Sequence, residues 1–600
     1  MSTNLIALQN KFLGHGQTVY DKLSNLHEQQ GYVSDGDITA IAAEFHLPPA
    51  HVRSTAKFYE ELSHDKAATH VVKVCNGEAC RAAGCSGIER QMCDAFSVEL
   101  GATSGDGVRV ESVACLGYCG LGPNVMVDGL PLAMSDGAAT DKVVKQVQRD
   151  EPHGLTEPTN AVYKPADGAP CVLMRHFDKD IVSFDASCAA GVYSALERAV
   201  TSMSPQAVID QVKASQLRGR GGAGFPTGIK FQTVADSQAR DGNGRKFVVV
   251  NFDEGDAGSY IDKELIERDP HTQLEGILIA AYACGAQEAI VYARYEYPRA
   301  QRILQQAINE AKAGGMIGVP LFGRDFQCDV RMVGGQGAYI CGEETSLLRS
   351  LEGVPALVST RPPFPAQKGL WDCPTAVNNV ETLHNLPWII EHGCEAYAKF
   401  GHEKSRGTKA VSLNTHVKRP GMYEVELGTT LRELIFDLAG GMADGQRFKA
   451  VQVGGPLGGI LPEILLDTPL DFEAMARAKG ILGHAGVVVY SQEDNLVEIC
   501  RGLMHFCAVE SCGKCFPCRI GSVRGTELFD QMMADSSVGG GATDERLSLL
   551  AELCETMKYG SLCALGGMIP APIECLMEYF PEELEPYRPT RDGKPLPIMN

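Results

Sequence analysis

The fold of this chain is organised around the stretch Leu217-Arg218-Gly219-Arg220-Gly221-Gly222-Ala223-Gly224-Phe225-Pro226-Thr227-Gly228-Ile229-Lys230. Five glycines fall within the ten residues 219–228, with two arginines at the front and a lysine at the end. Glycines let the backbone approach a ligand closely, and successive N–H groups ahead of a helix form a cradle for phosphate. Arginine adds planar donors for phosphate oxygens. The stretch therefore predicts a phosphate-bearing cofactor, either a nucleotide or a flavin.

An ordinary Rossmann turn is the first alternative for this stretch. Gly219, Gly221 and Gly224 match the pattern G-x-G-x-x-G, but a Rossmann site needs a strand before the turn and a helix after it. The preceding residues 205–212 have helical spacing instead. The sequence therefore disfavours a Rossmann turn, and the flanking Arg and Lys disfavour a merely flexible loop.

Two later stretches complement the glycine loop. Residues 247–256 form an apolar run, typical of a buried strand, that leads into an acidic turn. Residues 334–344 form a second glycine-rich loop that ends in paired carboxylates. The glycines would bind phosphate, while the amide and carboxylate side chains would bind ring or ribose groups of a dinucleotide. Solvated surface is the alternative for the acidic turns, and the apolar or glycine-rich chain before each of them disfavours it.

Composition restricts the class of protein. The chain has 600 residues, which is enough for several domains, with 44% hydrophobic and 22% charged residues. A formal net charge of −21 disfavours a nucleic-acid surface. No apolar run approaches the length of a membrane span, and the N-terminal residues lack the basic and apolar regions of a signal peptide. We therefore expect a cytoplasmic protein.

The 21 cysteines are the most informative feature of the composition. In a reducing compartment they are not expected to form disulfides, and clustered cysteines indicate metal or cluster ligation. Isolated ones are expected to be small buried apolar residues. This group comprises Cys171, Cys284 and Cys394.

The first cysteine cluster combines a C-x4-C pair with a C-x3-C pair. A short predicted strand, residues 70–75, leads into the first pair, Cys75 and Cys80, and the second pair is Cys115 and Cys119. Four thiolates in two pairs suit a [2Fe–2S] cluster, but both spacings also lie in the range of structural zinc sites. Cys85 is a spare or alternative ligand.

The second cluster lies in a helical C-terminal segment. Cys512, Cys515 and Cys518 form C-x2-C-x2-C, and Cys563 follows a Gly-Ser turn that can present it as a fourth ligand. Three closely spaced thiolates and a remote one are typical of a [4Fe–4S] site, whereas zinc rarely uses three such consecutive steps. The rivals of Cys563 for the fourth place are Cys507, Cys554 and Cys575.

Periodicity predicts alternating helices and strands in the large central region, with helices at 274–284 and 300–313 around a strand at 288–292. The following residues predict a small α+β module with strands at 410–413 and 421–425 and a helix at 431–438. The glycine loop 454–459 has no basic neighbour and is interpreted as a turn. The chain is thus predicted to be an α/β multidomain protein.

These motifs resemble a known family. The glycine loop, the acidic turns, residues 361–365, residues 378–382 and the C-terminal cysteines resemble the NADH-binding flavoprotein subunit of respiratory complex I. The first cysteine cluster resembles that complex's thioredoxin-like [2Fe–2S] subunit. A fusion of the two is similar to diaphorase subunits of NAD-dependent formate dehydrogenases and NAD-reducing hydrogenases. Residues 510–525, 454–462 and 466–469 look most like the formate dehydrogenase β subunit.

The resemblance implies a domain organisation. It predicts an N-terminal helical region (1–66), a thioredoxin-like [2Fe–2S] domain (67–150), a linker (151–175), an FMN- and NAD-binding α/β domain (176–405), a ubiquitin-like α+β module (406–492) and a helical [4Fe–4S] domain (493–600).

The resemblance also implies ligands and roles. Glu344 takes the catalytic position, where it would position the nicotinamide or tune the nearby potential, with Phe364 at the adenine end of NAD(H). Two residues depart from the complex I pattern, since Arg361 replaces a lysine and Asp256 a glutamate. The residues implied to bind FMN or NAD(H) are Gly219, Arg220, Gly221, Gly222, Phe225, Lys230, Asn251, Asp253, Glu254, Asp256, Gly342, Glu343, Glu344, Arg361, Phe364, Asn378 and Asn379. The implied cluster ligands are Cys75, Cys80, Cys115 and Cys119 for [2Fe–2S], and Cys512, Cys515, Cys518 and Cys563 for [4Fe–4S].

The function implied is a flavin relay between NAD(H) and iron–sulfur clusters. Because no molybdopterin or nickel site is visible in the sequence, a partner subunit would oxidise the substrate. The partner implied is a molybdenum or tungsten formate dehydrogenase α subunit, with hydrogenase subunits or a complex I module as alternatives. A hypothesis from a different class is a zinc-containing, nucleotide-sensing scaffold without turnover.

Overall fold

The computed structural model of the chain describes residues 17–62, 66–134, 139–150, 157–166, 168–239, 244–534, 542–588, 590–591 and 594–595. The predicted α/β multidomain class is correct. The larger sheets are a four-stranded mixed sheet, a four-stranded parallel sheet and a six-stranded mixed sheet, and a group of helices follows them.

Three helices open the described chain. Ser34 caps the second of them through a capping box, as its Ser-x-x-Asp pattern predicts. The predicted helical character from Asn4 onwards begins outside the described residues. The hydroxyl of Tyr20 donates to the carbonyl oxygen of Gly334 at 2.7 Å, so these helices pack against the parallel sheet. The helices are α1 (Val19–Gln30), α2 (Asp35–Glu44) and α3 (Pro49–Ala56).

The first sheet carries the first cysteine cluster. Its strands lie in the order β2-β1-β3-β4, with β1 parallel to β2 and antiparallel to β3. Strand β1 ends at Cys75, as predicted. The elements are β1 (His70–Cys75), α4 (Glu78–Ala82), α5 (Cys85–Phe96), β2 (Val108–Val113), β3 (Asn124–Val127), β4 (Leu130–Ala133) and α6 (Ala139–Gln148).

The parallel sheet has the order β8-β7-β6-β9. Its strands are β6 (Phe247–Phe252), β7 (Glu288–Ala293), β8 (Asp329–Gly334) and β9 (Thr375–Asn379). From β6 the chain moves outward to β7 and β8, and β9 then returns to the opposite side of β6. In open α/β sheets, ligands bind outside the carboxyl ends of the strands at such a switch in direction.

Helices surround this sheet, and those at residues 270–284 and 298–313 match the predicted ones. The ten-residue helix that follows the glycine loop begins at Thr227, and a helix also precedes the loop, which agrees with the rejection of a Rossmann turn. The helices are α7 (Phe184–Ala189), α8 (Ser194–Ser202), α9 (Pro205–Ala214), α10 (Thr227–Asp236), α11 (Ile261–Arg268), α12 (Pro270–Cys284), α13 (Pro298–Ala313), α14 (Glu344–Leu351), α15 (Val380–His384), α16 (Leu386–His392) and α17 (Cys394–Ala398).

The six-stranded sheet has the order β15-β14-β16-β12-β13-β5. Strand β5 comes from the predicted linker, which therefore pairs with the module instead of only connecting two domains. The predicted helix at 431–438 is π-helical over Glu433–Leu438. The elements are β5 (Val162–Tyr163), β12 (Thr408–Leu413), β13 (Gly421–Glu426), β14 (Phe448–Val453), β15 (Ile460–Pro462), α18 (Phe472–Arg477) and β16 (Gly486–Ser491), preceded by the hairpin β10 (Gly401–His402) and β11 (Ser405–Arg406).

The last region is helical, as predicted. It consists of α19 (Leu496–Glu510), α20 (Phe516–Ala534), α21 (Asp544–Gly560), α22 (Ala564–Met568) and α23 (Pro570–Tyr579), followed by the short pair β17 (Thr590–Arg591) and β18 (Lys594–Pro595). Within the described part of the chain, every helix is too short or too polar to cross a membrane.

Candidate cofactor site

A cavity of about 300 Å³ lies at the carboxyl edge of the parallel sheet. Strands β6 and β9 are neighbours in a register that pairs Asn251 with Asn379, and both asparagines line the cavity. The two asparagines are 128 positions apart in the sequence, and only the pairing of the strands brings them together. The cavity therefore occupies the crevice that the strand order predicts for a ligand.

The glycine loop forms one wall of the cavity, and two of its glycines have different surroundings. A methyl group added at Gly221 would lie 2.7 Å from Cβ of Asn379, so the backbone approaches β9 too closely for any side chain. A methyl group added at Gly222 would meet no atom within 4 Å. The close approach at Gly221 and the open space at Gly222 are what a cradle for a bound group requires.

Arg220 belongs to the glycine loop but does not line the cavity. Its side chain is fully buried, and its Nη2 donates to Oη of Tyr397 at 2.9 Å and to the carbonyl oxygen of Arg406 at 2.7 Å. Its Nε and Nη1 have no hydrogen-bond partner among the described residues. A buried charge without partners is costly, so these two donors fit a bound phosphate.

The acidic turns contribute carboxylates with unused acceptor capacity. Oδ2 of Asp253 and Oε1 of Glu343 are buried without hydrogen-bond partners among the described residues, and both side chains line the cavity. Burial raises the pKa of Asp253 well above its ordinary value. The other oxygen of Glu343 accepts from the backbone N–H groups of Thr345 and Ser346 and caps helix α14. The two carboxyl groups therefore face the cavity from fixed positions.

The residues implied to contact NAD(H) form a second group at the surface. Nη1 of Arg361 lies 2.9 Å from Oε1 of Glu344, and Nζ of Lys230 lies 3.8 Å from the other oxygen of that carboxylate. Phe225 and Phe364 are each 52% exposed. Two solvent-accessible rings and a charged cluster suit an open site for a nucleotide that exchanges with solution.

Some of the implied cofactor-binding residues line the cavity and others lie outside its wall. Those that line the cavity are Gly221, Gly222, Asn251, Asp253, Glu254, Asp256, Gly342, Glu343 and Asn379. Those that do not line it are Gly219, Arg220, Phe225, Lys230, Glu344, Arg361, Phe364 and Asn378.

The sequence alone did not identify several residues of the cavity wall. Asp262 and His484 lie in the wall, and the loop 454–459, interpreted only as a turn, contributes Gly454 and Leu457. Gly222 forms a β-bridge with Gly483, which brings this distant segment against the glycine loop. The glycines of residues 454–459 are a local sequence feature that could have indicated a ligand site. A lone histidine at position 484 gives no such indication.

The four cysteines of the first cluster are all buried and close together. Sγ of Cys115 lies 3.5 Å from Sγ of Cys119, and the backbone N–H of Gly117 points to the Cys115 sulfur at 3.4 Å. The hydrogen bond to Cys115 and burial raise the pKa of Cys119 well above its ordinary value. Four buried thiolates can coexist only around a cationic centre, so the donor set fits an iron–sulfur cluster. Cys85 is buried nearby.

The first cluster site adjoins the back of the cavity. The guanidinium of Arg294 donates through Nη2 to the carbonyl oxygen of Cys115 at 3.0 Å and through Nη1 to the carbonyl oxygen of Glu254. Glu254 belongs to the acidic turn that lines the cavity. One buried side chain thus connects the backbone of both sites.

The second cluster site opens directly onto the cavity. Cys563 immediately precedes helix α22 and lines the cavity together with Ala564 and Leu565. A methyl group added at Gly566 would lie 2.6 Å from Cβ of Cys518, so this segment packs tightly against the C-x2-C-x2-C loop. A cluster held by Cys563 and Cys518 would therefore border the same space as the glycine cradle.

The rival cysteines have different neighbours. Sγ of Cys507 lies 3.9 Å from Sγ of Cys518, so a fifth thiol adjoins this site. Cys500, Cys554 and Cys575 are all buried, and burial together with the thiols of Cys575 and Cys554 raises the pKa of Cys500.

Four family models match parts of the chain. They are the thioredoxin-like [2Fe-2S] ferredoxin over residues 7–148, the Nuo51 FMN-binding domain over 212–388, the SLBB domain over 416–461 and the NADH-ubiquinone oxidoreductase-F iron-sulfur binding region over 498–587. The predicted cofactors FMN, [2Fe–2S] and [4Fe–4S] are thereby confirmed, and NADH is the substrate of these families.

The chain is similar to several curated proteins. It is 43% identical over 406 residues to the NADP-reducing hydrogenase subunit HndC of Solidesulfovibrio fructosivorans, a match that covers 68% of this chain and 81% of that protein. It is 42% identical over 380 residues to the mitochondrial NADH-ubiquinone oxidoreductase 51 kDa subunit of Neurospora crassa, which covers 63% of this chain and 76% of the relative.

A solved structure of similar architecture spans almost the whole chain. A chain of an NAD+-reducing [NiFe]-hydrogenase in the H2-reduced state superposes with a TM-score of 0.83 at 30% identity, covering 96% of this chain and 94% of that one. A chain from a structure of NAD+-reducing [NiFe]-hydrogenase in the air-oxidised state gives a TM-score of 0.82 at 29% identity.

Proposed function

This chain belongs to the family of the NADH-ubiquinone oxidoreductase 51 kDa subunit and the hydrogenase subunit HndC, and we propose that it is the diaphorase subunit of an NAD-dependent formate dehydrogenase. The family and the matched domains identify an oxidoreductase subunit. The observation that carries the diaphorase part of this proposal is the composition of the cavity wall. This wall combines the glycine loop, the acidic turn and Cys563 of the second cluster site.

The residues present fit FMN in this cavity. The loop at Gly221 and Gly222 allows close approach of the ligand to the backbone, and Arg220 of the same loop, which does not line the cavity, has two buried donors without a hydrogen-bond partner among the described residues. Asp253 and Asn251 would bind polar groups of the ring and ribityl chain. When bound, FMN supplies hydride exchange with a nicotinamide and single-electron exchange with iron–sulfur clusters.

The surface group would bind the dinucleotide. The carboxylate of Glu344, held by Arg361, would position the nicotinamide nucleotide over the cavity, and Phe364 would stack on the adenine. The Cys563 segment packs on Cys518 at the cavity wall, so a cluster bound there would lie close to a flavin in the cavity.

The formate partner rests on sequence resemblance. Residues 510–525, 454–462 and 466–469 look most like the formate dehydrogenase β subunit. A molybdenum or tungsten α subunit would then oxidise formate and deliver electrons through the clusters to FMN and NAD+. An [NiFe] hydrogenase partner is the second candidate, supported by the similarity to the NAD+-reducing hydrogenase over nearly the whole chain.

Purification of the natural complex under anaerobic conditions separates these candidates. We expect a large subunit that contains molybdenum or tungsten, and NAD+ reduction that depends on formate. A nickel–iron subunit with NAD+ reduction driven by hydrogen would replace the formate assignment and leave the diaphorase assignment intact.

The chain alone tests the diaphorase assignment. Reconstituted with iron, sulfide and FMN, it should oxidise NADH with ferricyanide as acceptor. A preparation that holds zinc without flavin and catalyses no NADH oxidation would instead support a nucleotide-sensing scaffold and end the proposal.

A further inference from the structure

His484 is a buried histidine in the wall of the cavity. It lies on the segment between α18 and β16, and 5% of its surface is exposed. Its neighbours Glu254 and Asp262 come from the acidic turn and from helix α11, and all three side chains line the cavity.

Both nitrogens of the imidazole face acidic oxygens. Nε2 of His484 lies 2.9 Å from Oδ2 of Asp262, and Nδ1 lies 3.3 Å from Oε1 of Glu254 and 3.1 Å from Oγ of Ser259. A neutral imidazole carries only one N–H and would direct a lone pair at one of the carboxylates. The two carboxylates therefore favour the doubly protonated ring. The amide nitrogen of Asn379 also lies near Nε2, at 2.9 Å, but its hydrogen bond at 2.6 Å goes to the same Asp262 oxygen.

Backbone hydrogen bonds fix the two carboxylates. Oε1 of Glu254 accepts from the N–H groups of Ile261 and Asp262 at 2.6 and 3.1 Å, and its other oxygen accepts from Lys263 N–H, so the side chain caps helix α11. This is a favourable site for a negative charge. Oδ1 of Asp262 accepts from the N–H of Glu381 at 3.2 Å. Neither carboxylate can turn away from the imidazole without losing these contacts.

A second residue ties the group to the flavin wall. Nδ2 of Asn379 donates to Oδ2 of Asp262 at 2.6 Å and lies 2.9 Å from Nε2 of His484. Asn379 is also the residue on which the Gly221 backbone rests.

The neighbouring cations have other partners. Nζ of Lys409 pairs with Glu381, and Nζ of Lys263 lies 2.7 Å from Glu264. Burial opposes the charge of His484, but the charge of Asp262 and the hydrogen bonds to both carboxylates raise its pKa well above the ordinary value. Burial likewise opposes ionisation of Glu254, but the hydrogen bond and charge of His484 lower the pKa of Glu254 to about 2. At Asp262 burial outweighs the charge of His484 and raises the pKa to about 6, so this carboxyl group is still ionised at pH 7. His484 is thus the compensating charge for this pair at neutral pH.

We propose that His484 is a positioning residue. As an imidazolium it holds Glu254 and Asp262 in place, and its charge sets the reduction potential of the bound flavin. Reduction adds negative charge to the cavity. Glu254, Asp262 and His484 together carry one net negative charge when the ring is an imidazolium and two when it is neutral, so the charged ring makes the reduced flavin easier to accommodate. This inference rests on the proposed function, because it requires FMN in the cavity.

The test compares the binding of oxidised and reduced FMN to variants of the full-length chain, together with spectroelectrochemical titration of the flavin. In H484Q, we expect the affinity for reduced FMN to fall at least about tenfold more than the affinity for oxidised FMN. A tenfold change in this ratio corresponds to a two-electron reduction potential of the bound flavin that is about 30 mV lower than in the wild type. H484K keeps the positive charge and should stay near the wild-type ratio. The double variant E254Q/H484Q removes one charge of each sign and should return towards that ratio.

Two results would overturn the inference. An unchanged ratio in folded, flavin-loaded H484Q would place the proton on Asp262 and leave His484 neutral. A stoichiometric divalent metal in the wild type that is absent from H484Q would mean that the three side chains, whose ligand atoms lie within 4.8 Å of one another, hold a metal ion instead. Failure of the wild type to retain any FMN is a different result, which removes the proposed function.

Discussion

Gly221 and Gly222 are adjacent residues with different physical roles. Gly221 is required by the protein itself, because any side chain would collide with Asn379 of strand β9. Gly222 lines the cavity, and an added methyl group there would meet no protein atom. The space around Gly222 would therefore admit a side chain, and we propose that a bound ligand is what requires glycine there.

This difference gives a residue-scale prediction. The substitution G222A should leave the unfolding temperature close to that of the wild type but weaken FMN binding at least about tenfold, because the methyl group occupies space meant for the ligand. FMN affinity is measured by fluorescence quenching. The matched control is G36A in helix α2, where an added methyl group lies 3.5 Å from Oγ of Ser34 and FMN binding should not change. Equal FMN affinity in G222A and G36A would show that the flavin lies elsewhere.

Helix α20 links the second cluster site to the surface. Phe516, Ile520 and Val523 are 79%, 47% and 42% exposed, and their spacing of four and three residues places them on one face of the helix. Phe516 lies between the ligand candidates Cys515 and Cys518. An exposed apolar face beside an electron-transfer centre is typical of a surface that a partner subunit covers.

We therefore expect the double substitution F516E/I520E to prevent assembly with the partner subunit. Charges on this face should lower the yield of co-purified partner at least about tenfold, since buried aromatic anchors dominate interface energies. NADH oxidation with ferricyanide should continue, because the change lies on the outer face of α20. The control is I464E, at an apolar residue that is 83% exposed and follows the SLBB match. Normal assembly of F516E/I520E would place the interface on another face.

At the scale of the whole molecule, the cavity is a composite. Its walls come from the parallel sheet, from the six-stranded module through Gly483, and from the C-terminal helices through Cys563, while Arg294 connects it to the first cluster site. Several carboxyl groups are buried in forming this assembly. Burial raises the pKa of Glu78, Glu275 and Glu510 to about 7 in each case.

These carboxyl groups make the stability of the whole chain dependent on pH. Because their pKa values are raised by folding, the unfolded chain releases these protons first, and stability falls as the pH rises from the unfolded value of about 4.3 through about 7. E275Q removes one such group while retaining an acceptor for the N–H of Leu196. Relative to the wild type, E275Q should gain on the order of 2 kcal/mol in stability between pH 5 and pH 8, measured as a shift in thermal unfolding.

The control for this measurement is E197Q on helix α8. Glu197 is exposed, so its carboxyl group is hydrated in the folded and the unfolded chain. A gain of equal size in E197Q would mean that the effect reflects the overall charge of −21 and not the burial of Glu275.

The sequence by itself determined the features that depend on short-range geometry. The strand that ends at Cys75 lies where its apolar run predicts it, and the helix after Ser34 begins where its capping residues predict it. The cysteine spacings identified two cluster sites, because ligands a few residues apart must lie near one another in any fold. The glycine loop likewise predicted a cradle for phosphate from local chemistry alone.

Only the tertiary structure decided which distant residues share the cavity. Nothing near His484 in the sequence indicates that it lies between Glu254 and Asp262, since that contact depends on the bridge between Gly222 and Gly483. The turn at 454–459 likewise lines the cavity only because distant segments of the chain pack together. Local backbone preferences act over a few residues, whereas contacts across more than two hundred positions are fixed by the pairing of strands and the packing of whole domains.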